Sequence, residues 1–410
     1  MNTAGLFQNK SDCCGCGACQ NVCTKGAIVM CEDEFGFVYP KIDPELCVEC
    51  GMCKKVCGYQ NQPEKSRARQ VYAAASKNSS LLKKSASGGV FAQLAGHFLT
   101  RGGVVYGVAL PMENGVLTPR HIRVSQLSEL KRLQGSKYVQ SDTGFVFRQV
   151  KQDLSEGKPV LFSGTPCQVA TLRQFLSKKY DNLLLAEVIC HGVPSKKMFQ
   201  DFIRDYGKSL DGTVEEFYFR DKSKGQGYVT RCVYQTRSGQ REETVKQGEL
   251  LAYIHFFSKS YICRESCYSC PFAAAERVAD ITLGDYWGFH EEYPEYRERD
   301  GLSNERGVSC VLVNTDQGKR YLNEIRDGLV LLESTFEQVA RHNAQLREPS
   351  PRSEIRETIL TGYRDSGYPA VSAYFARHCG AERMKHRVSG LLPKGFKRWV
   401  KKRVGQLKTR

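Results

Sequence analysis

The 410-residue chain lacks any apolar run of the roughly 18–20 residues that a membrane-spanning helix needs. Its N-terminus, MNTAGLFQNKSDCC, lacks the apolar core of a secretory signal. No G-x-G-x-x-G motif follows a strand-like segment, so a Rossmann-type dinucleotide fold is not indicated. We therefore expect a cytoplasmic protein, in a compartment that keeps thiols reduced.

Acidic residues are scarce: 44 Asp and Glu stand against 60 Lys and Arg, a formal net charge of +16. From Arg383 to Arg410 there are eleven basic residues and no acidic one. Within KGFKRWVKKRVGQLKTR, apolar Phe396, Trp399 and Val400 recur at helical spacing between the basic residues. Such a helix favours an anionic membrane surface, which predicts contact with the inner face of the membrane. Docking on an acidic protein and non-specific nucleic-acid binding are the alternatives, and no specific nucleic acid is expected.

Cysteine is abundant, and ten of the 18 cysteines lie in residues 1–60. Two runs share the spacing C-x2-C-x2-C-x3-C: Cys13, Cys16, Cys19 and Cys23, then Cys47, Cys50, Cys53 and Cys57. Three thiolates spaced in this way surround one 4Fe-4S cluster while the fourth reaches its neighbour. Zinc sites use ligand pairs separated by longer loops, and the reducing compartment disfavours disulfides. Cys14 and Cys31 fall outside the spacing and are interpreted as spare thiols.

Residues 1–60 resemble the two-cluster bacterial ferredoxins, and AIVMCEDEFGFVYPKID between the runs predicts the short hairpin of that fold. The resemblance implies two 4Fe-4S clusters, one held by Cys13, Cys16, Cys19 and Cys57 and the other by Cys47, Cys50, Cys53 and Cys23. Thr24 and Gly58 replace the proline usual after each fourth cysteine, which removes no ligand.

After a polar linker, 61–70, short apolar strands alternate with amphipathic helices from Val71 to about Thr335. The alternation predicts an α/β domain with a substantially parallel, mixed sheet. A more β-like stretch, from EEFYFRD to QREETV, interrupts it. The remaining residues are predicted to be helical with a basic end.

Two cysteines of this domain lie where chemistry is expected. Cys167 follows an apolar strand and Thr165-Pro166, which predicts a place in the first turn of a helix, where the dipole stabilises a thiolate. Cys190 ends another strand, and open α/β sheets bind ligands at the carboxyl ends of their strands. The stretch CRESCYSCPF adds Cys263, Cys267 and Cys270. Burial as small apolar residues is the alternative, preferred for Cys232, Cys310 and Cys379.

The chain resembles the family of coenzyme F420 hydrogenase/dehydrogenase beta subunits over residues 71–346, with 347–410 as a helical extension. The motifs that carry the resemblance are SASGGVFAQLA, LQGSKYVQS, LFSGTPCQVATLR, EVICHGVPS, FRDK and CYSCPF…ADITLGDYWG. The resemblance implies FAD beside an iron-sulfur cluster. It assigns flavin contacts to nine residues: Ser87, Gly88, Gly89, Ser136, Lys137, Ser163, Gly164, Thr165 and Asp285.

The residues support part of that assignment, because SGG and SGT each precede a helix and helix N-termini bind phosphate. Lys137 is expected to pair with a pyrophosphate, and Asp285 to bind a flavin or ribose edge. A solvated lysine and a turn aspartate are the alternatives. Arg220 and Lys222 either attract an anionic substrate or belong to an exposed charged loop. We interpret His191 as structural.

We further predict a third 4Fe-4S cluster between the ferredoxin-like clusters and the flavin. Its predicted ligands are Cys167, Cys190, Cys267 and Cys270, with Cys263 in reserve. The predicted function is an iron-sulfur flavoprotein oxidoreductase that transfers electrons between its clusters, FAD and a substrate or soluble carrier, either ferredoxin, deazaflavin F420 or NAD(P)H. The alternative is an electron-relay protein that feeds a partner enzyme and has no substrate of its own.

Overall fold

A mixed β-sheet flanked by helices organises the chain, of which this computed structural model describes residues 5–223, 227, 229–296, 301–303 and 305–391. The strands are β1 (Ile28–Glu32), β2 (Val38–Ile42), β3 (Gln70–Ser76), β4 (Val104–Ala109), β5 (Met112–Glu113), β6 (Val116–Leu117), β7 (Arg120–Val124), β8 (Val160–Gly164), β9 (Leu183–Val188), β10 (Gly212–Tyr218), β11 (Val229–Thr236), β12 (Arg241–Gln247), β13 (Ile281–Asp285), β14 (Ser309–Val313) and β15 (Leu329–Ser334).

The helices are α1 (Ala18–Val22), α2 (Met52–Lys55), α3 (Ser79–Lys84), α4 (Val90–Thr100), α5 (Val146–Ser155), α6 (Pro166–Leu176), α7 (Lys196–Ser209), α8 (Ala252–Ser258), α9 (Phe289–Glu292), α10 (Asp316–Glu324), α11 (Phe336–Arg341), α12 (Ile355–Ser366), α13 (Tyr368–His378) and α14 (Gly380–Leu391). None of the described helices is long and apolar enough to cross a membrane. The predicted basic helix beyond Pro393 lies outside the described residues.

The main sheet has eight strands in the order β15-β3-β14-β13-β9-β8-β4-β7. Its centre is parallel, because β13 pairs with β9, β9 with β8 and β8 with β4 in the same direction. β14 and β7 pair antiparallel with β13 and β4 at the two sides of this centre. Strands such as β9, LLLAEV, are continuous apolar runs because both faces of the sheet are covered. The predicted α/β class with a mixed sheet is confirmed.

Two hydrophobic cores cover the faces of this sheet. Leu94 and Phe98 of α4 pack with Tyr321 and Leu322 of α10 against one face. Residues of α5 and α6 pack against the other. At the end of β8, Thr165 caps α6 in a capping box and Pro166 occupies its first turn, as the sequence predicts. This turn therefore places Cys167 at the carboxyl edge of the parallel strands.

A smaller sheet, β10-β11-β12, is antiparallel and corresponds to the predicted β-like stretch. It packs with α7, α8, α12 and α13 around a core rich in aromatic residues. There Phe202 stacks on Tyr253 with their ring centroids 5.0 Å apart. The described part of the extension after residue 347 is helical, as expected.

The cysteine-rich segment contributes to two of these cores. β1 and β2 form the predicted hairpin, paired from Ile28↔Ile42 to Glu32↔Val38. Phe37 and Tyr39 enter the aromatic core, whereas Val56 and Tyr59 enter the core beneath α5 and α6. The segment 61–70 is also held, because Ser66 and Arg277 exchange backbone hydrogen bonds of 2.9 and 2.8 Å. The first sixty residues are therefore packed into the rest of the fold.

Candidate metal centre

Five cysteines line one cavity of about 40 Å³ at the carboxyl edge of the sheet. Such a volume exceeds the roughly 10–15 Å³ that one water molecule needs. The five are Cys14, Cys167, Cys190, Cys267 and Cys270. Four of them are the predicted ligands of the third cluster, brought together from α6, from the end of β9 and from the loop before β13. The fifth, Cys14, comes from the ferredoxin-like segment.

Backbone amides point at the sulfurs of this cavity. The Gly192 amide donates to Cys190, and the Phe272 and Ala273 amides donate to Cys270. Hydrogen bonds of this kind tune the potential of an iron-sulfur cluster. Burial raises the pKa of Cys267 to about 12 and that of Cys270 to about 11. Metal binding requires thiolates, so this site needs positive charge to compensate for burial.

Arg264 supplies that positive charge. The residue is 1% exposed, and its guanidinium donates to the carbonyls of Cys13 and Val38 at 2.8 Å each. It lines the cavity and lies 4.1 Å from the ring centroid of Tyr39. Although burial opposes it, the neighbouring cysteines raise the pKa of Arg264, Cys13 contributing most. Within the described part of the chain, no carboxylate pairs with this cation. A buried cation without a carboxylate needs another anion, and cysteine thiolates or an anionic cluster fit that requirement.

The inner ferredoxin-like set, Cys13, Cys16, Cys19 and Cys57, also comes together. Burial raises the pKa of Cys13 to about 11, with further contributions from Cys16 and Cys57. Burial likewise raises the pKa of Cys19, reinforced by Cys16 and Cys13. In contrast, the pKa of Cys16 is lowered to about 6, chiefly by the Cys14 thiol and also by the Ala18 amide and the Arg264 charge, although burial alone would raise it.

The outer set lies near the surface. Cys50 is exposed, and the charges of Cys47 and Cys50 contribute to the raised pKa of Cys53, after burial. Cys23, its predicted fourth member, caps the end of α1, and its carbonyl accepts from Arg148 at 2.9 Å. α1 and α2 each begin after a left-handed glycine, Gly17 and Gly51, with φ of 73° and 72°. The two runs therefore repeat in structure as well as in spacing.

Among the described residues, the predicted cluster ligands do not form a group of three as close together as a single zinc ion requires. Tetrahedral Zn–S bonds of about 2.3 Å place sulfurs roughly 3.8 Å apart. Among the described residues, a group of three potential ligand atoms that lie within 4.8 Å of one another is found at His255, Cys379 and Glu382. None of the twelve predicted cluster ligands belongs to that group.

Two cysteines have positions that the sequence did not indicate. Cys14, interpreted as a spare thiol, is 7% exposed and lines the same cavity as Cys167. The neighbouring Cys16 and Cys167 side chains raise the pKa of its thiol. Cys263, held in reserve as a ligand, is fully buried, and a Cβ at Gly192 would lie 2.7 Å from its sulfur. Cys14 is therefore closer to the third site than the sequence spacing could reveal.

Of the predicted flavin contacts, Ser163, Gly164 and Thr165 adjoin the cysteine cavity. The Thr165 hydroxyl lies 3.2 Å from the Cys167 sulfur, and the Ser163 carbonyl accepts from His121 at 3.2 Å. His191 also lines the cavity, and its Nε2 lies 2.9 Å from the Ser260 hydroxyl. Burial lowers the pKa of His191.

Ser87, Gly88 and Gly89 lie at the start of α4. The Gly88 amide donates to the Ser309 hydroxyl at 2.9 Å, and a Cβ at Gly88 would lie 2.1 Å from the Ala74 carbonyl oxygen. Close packing on β3 therefore requires glycine at Gly88. Gly89 caps α4 with φ of 80°, a left-handed conformation that favours glycine.

A buried group of charges adjoins this turn. The Lys222 ammonium donates to the carbonyls of Leu82, Ser87 and Arg306, at 2.8, 2.5 and 2.6 Å. Burial lowers the pKa of Lys222 to about 8. Arg220 pairs with Asp285, the last residue of β13, at 2.8 Å. Arg220 is 8% exposed, which removes the exposed-loop interpretation for this residue.

Tyr138 connects this group to the loop that carries Ser136 and Lys137, since Arg220 donates to the Tyr138 hydroxyl at 3.0 Å. The Lys137 amine donates to the carbonyls of residues 132–134 at 3.3, 3.0 and 2.8 Å. Burial lowers the pKa of Lys137 to about 7. The amine thus closes its own loop, while Ser136 is half-buried beside it.

The chain is similar to known proteins over most of its length. Residues 157–338 match the family model for the C terminus of the coenzyme F420 hydrogenase/dehydrogenase beta subunit. The F subunit of the F(420)H(2) dehydrogenase of Methanosarcina mazei is 20% identical over 337 residues, which are 78% of this chain and 84% of that protein. An uncharacterised ferredoxin of Methanocaldococcus jannaschii is 39% identical over 52 residues, 13% of this chain and 66% of the ferredoxin.

A solved structure is similar as well. One chain of the F420-reducing NiFe hydrogenase complex from Methanosarcina barkeri has a TM-score of 0.42 and 17% identity to this chain. The match covers 73% of this chain and 94% of the other.

Proposed function

The chain belongs to the family of coenzyme F420 hydrogenase/dehydrogenase beta subunits, and from that premise we propose that it is an iron-sulfur flavoprotein oxidoreductase. It passes electrons between a ferredoxin-like pair of 4Fe-4S clusters, a third 4Fe-4S cluster, FAD, and a substrate or soluble carrier. Ferredoxin, deazaflavin F420 and NAD(P)H are the candidate carriers.

One observation carries the proposal: the buried Arg264 guanidinium lies between the inner cysteine set and the third set. It donates to the Cys13 carbonyl and lines the cavity of the third cysteine set. The Cys14 thiol is the main cause of the lowered pKa of Cys16 and of Cys167, and the Arg264 charge contributes to both. A buried cation is stable there when anions compensate it. Two neighbouring anionic clusters provide that compensation, whereas buried neutral thiols do not.

The cysteine sets also form a sequence from the surface to the interior. The exposed end is the outer set, where Cys50 is flanked along the chain by the exposed apolar residues Leu46, Val48 and Met52, which are 50%, 60% and 45% exposed. Apolar surface around an exposed redox centre suits transient docking of a redox partner protein. The inner set follows, then the cavity of the third set, then the charged group at α4. This order supports a path that begins with a docked partner and ends at the flavin.

FAD would lie at the start of α4 and the charges beside it. FAD exchanges two electrons with a hydride donor and single electrons with clusters, which suits it to this junction. The α4 N-terminus would bind a phosphate, and the half-buried Lys222 ammonium, held by three backbone carbonyls, would add positive charge beside it. The Arg220–Asp285 pair holds the end of β13 in place, and the Thr165 hydroxyl orients the Cys167 sulfur.

Anaerobic reconstitution of the full chain tests the proposal through metal and flavin content. Each complete set of four cysteines should hold about four irons, so the wild type is expected to bind about twelve. Cys267→Ala and Cys50→Ala should each reduce the count to about eight, while the control Cys31→Ala should leave it unchanged. Stoichiometric zinc in place of iron, or a wild type with no third set of irons, would refute the three-cluster assignment.

Flavin is measured on the same preparations. We expect non-covalent FAD, weakened by Lys222→Met and unaffected by Lys83→Met at an exposed lysine of α3. Equal flavin occupancy in both variants would remove Lys222 from the site. A fully loaded chain that reduces dyes, but no deazaflavin, pyridine nucleotide or ferredoxin, would identify an electron relay instead of an enzyme.

A further inference from the structure

His255, Cys379 and Glu382 bring three different metal-binding groups to one point, and none of them is a predicted cluster ligand. One ligand atom from each lies within 4.8 Å of the other two. The Nε2 atom of His255 lies 3.1 Å from a carboxylate oxygen of Glu382. His255 belongs to α8, whereas Cys379 and Glu382 lie at the junction of α13 and α14. The helical extension after residue 347 therefore meets the aromatic core at these three side chains.

The local structure holds the three groups together. The His255 side chain is 3% exposed, and its ring centroid lies 5.1 Å from that of Phe375. Cys379 ends α13 with an amide that donates to the Phe375 carbonyl, and its own carbonyl accepts from the Arg383 amide at 2.9 Å. Helical bonding thus resumes at Cys379, and Glu382, three residues later, lies on the same face. The imidazole end of the group is buried, while the Glu382 side chain is 48% exposed.

The donor set and its dimensions fit zinc. Zinc binds thiolate at about 2.3 Å, imidazole at about 2.0–2.1 Å and carboxylate at about 2.0–2.2 Å. In a tetrahedral site these bonds place nitrogen and oxygen about 3.4 Å apart, and sulfur and nitrogen about 3.6 Å apart. The first distance is close to the 3.1 Å between His255 and Glu382. The sulfur, within 4.8 Å of both partners, would have to move by about 1.2 Å at most. A thiolate beside an imidazole favours zinc over magnesium or calcium.

Ion pairing alone does not account for the whole group. The Lys259 ammonium lies 3.6 Å from Oε1 of Glu382, whereas His255 faces Oε2. One carboxylate oxygen is therefore available to a metal, and the other is held by a neighbouring cation, as outer partners hold the ligands of metal sites. An ion pair among these three groups would not require the half-buried Cys379 thiol beside them.

We propose that His255, Cys379 and Glu382 bind one zinc ion, with water as the fourth ligand, and that this ion fastens α14 to α8. Three protein ligands leave one position of tetrahedral zinc open to solvent, on the exposed side of Glu382. Because the ligands come from two parts of the chain, binding stabilises the contact between them. The inference is independent of the clusters and of the function proposed above.

Titration of zinc chloride into the full chain, after anaerobic reconstitution with iron and sulfide, tests the site. We expect about one zinc per chain, with one sulfur at about 2.3 Å and lighter ligands in zinc X-ray absorption. Cys379→Ala and Glu382→Gln should each weaken zinc binding by more than about 100-fold, the upper range for residues that only support a ligand. Cys31→Ala on β1 and His378→Ala, an exposed histidine next to Cys379, are the matched controls and should bind as wild type does. Glu382→Gln changes a half-exposed side chain, so it tests the site even if Cys379→Ala fails to fold.

Hydrogen–deuterium exchange tests the role of the ion. Zinc should slow exchange of the α14 amides in wild type and leave them unchanged in Glu382→Gln. Zinc bound by four sulfurs would show that the metal has entered a cluster set, and would overturn the proposal. Equal zinc affinities in wild type and Glu382→Gln, or no zinc bound, would reduce the group to an ion pair beside a thiol. Failure of the proposed function would appear instead as missing iron or flavin, and it would leave the one-sulfur zinc spectrum unchanged.

Discussion

Replacing Arg264 by methionine removes the buried charge between the inner and third cysteine sets and keeps much of the side-chain volume. The guanidinium has carbonyl and amide partners, at Cys13, Val38 and Gln140, but among the residues described it has no carboxylate to leave behind. The substitution should therefore change the electrostatics of the sulfurs more than it creates a second unpaired charge. Reduction adds an electron to an anionic site, so the reduced state loses most when the cation disappears.

Coulomb's law gives the size of the effect. At a charge separation of about 6 Å and an effective dielectric constant of about 20, a unit charge contributes about 2.8 kcal/mol. Since 1.36 kcal/mol and 59 mV each correspond to a tenfold change in a one-electron equilibrium, this energy equals about 120 mV. We expect the midpoint of the inner site, and to a smaller extent that of the third site, to become more negative by this order.

The assay is a redox titration monitored by electron paramagnetic resonance, with iron content measured on the same samples. Arg264→Lys retains the charge without the planar set of donors and should recover most of the potential. Arg67→Met removes an arginine whose side chain is 80% exposed, and solvent should screen its effect almost completely. Midpoints in Arg264→Met that coincide with those of wild type, at full iron occupancy, would refute the assignment of Arg264 as the counter-charge of the sites.

Three further predictions concern the fold around the sites. Arg277→Met leaves the fully buried carboxylate of Glu187 without the guanidinium that lies 2.5 Å from it. The free energy of unfolding, measured with a chemical denaturant, should fall by about 3–5 kcal/mol. A decrease of less than about 1 kcal/mol, the range of an exposed ion pair, would contradict this prediction. Gly88→Ala should destabilise the apoprotein by about 1–3 kcal/mol, because its Cβ would meet β3. The control is Gly96→Ala within α4, where the nearest neighbouring atom lies 3.9 Å from the added Cβ. This substitution should be neutral or stabilising. Equal effects on stability at both glycines would show that β3 does not restrict Gly88. Burial lowers the pKa of Lys222 to about 8 from 10.5, so the unfolded state binds more protons between these values. The stability of wild type relative to Lys222→Met should therefore rise with pH between about 8 and 10.5, and a constant difference in chemical denaturation would refute it.

The sequence could predict the elements whose signals are local. The repeated cysteine spacing, the hairpin between the runs, and the Thr165-Pro166 start of α6 are each encoded within a few residues, and the structure places them as expected. Arg264 could not be found in this way, because its partners at Cys13 and Val38 lie 251 and 226 residues away in the chain. The place of Cys14 in the cysteine cavity could not be predicted for a similar reason, because only the fold brings it to the same cavity as Cys167. Gly88 of SGG is predicted from the sequence to let a phosphate approach the backbone, and the structure adds a second reason for glycine, the close packing of Gly88 on the Ala74 carbonyl of β3.

The way in which the ferredoxin-like segment is held bears on how electrons would enter the rest of the chain. Side chains of the α/β domain donate to backbone carbonyls within the first cysteine run. Gln140 donates to the Cys14 carbonyl at 3.0 Å, Thr143 to the Cys16 carbonyl at 2.7 Å, and Arg148 to the Cys23 carbonyl at 2.9 Å. Together with the shared hydrophobic cores, these bonds fix the first cysteine run against the cavity of the third cysteine set. The ferredoxin-like segment is therefore not a carrier that moves between partners. Under the proposed function, the inner and third sites would exchange electrons at one fixed geometry, and only the partner that docks at the outer set would need to move.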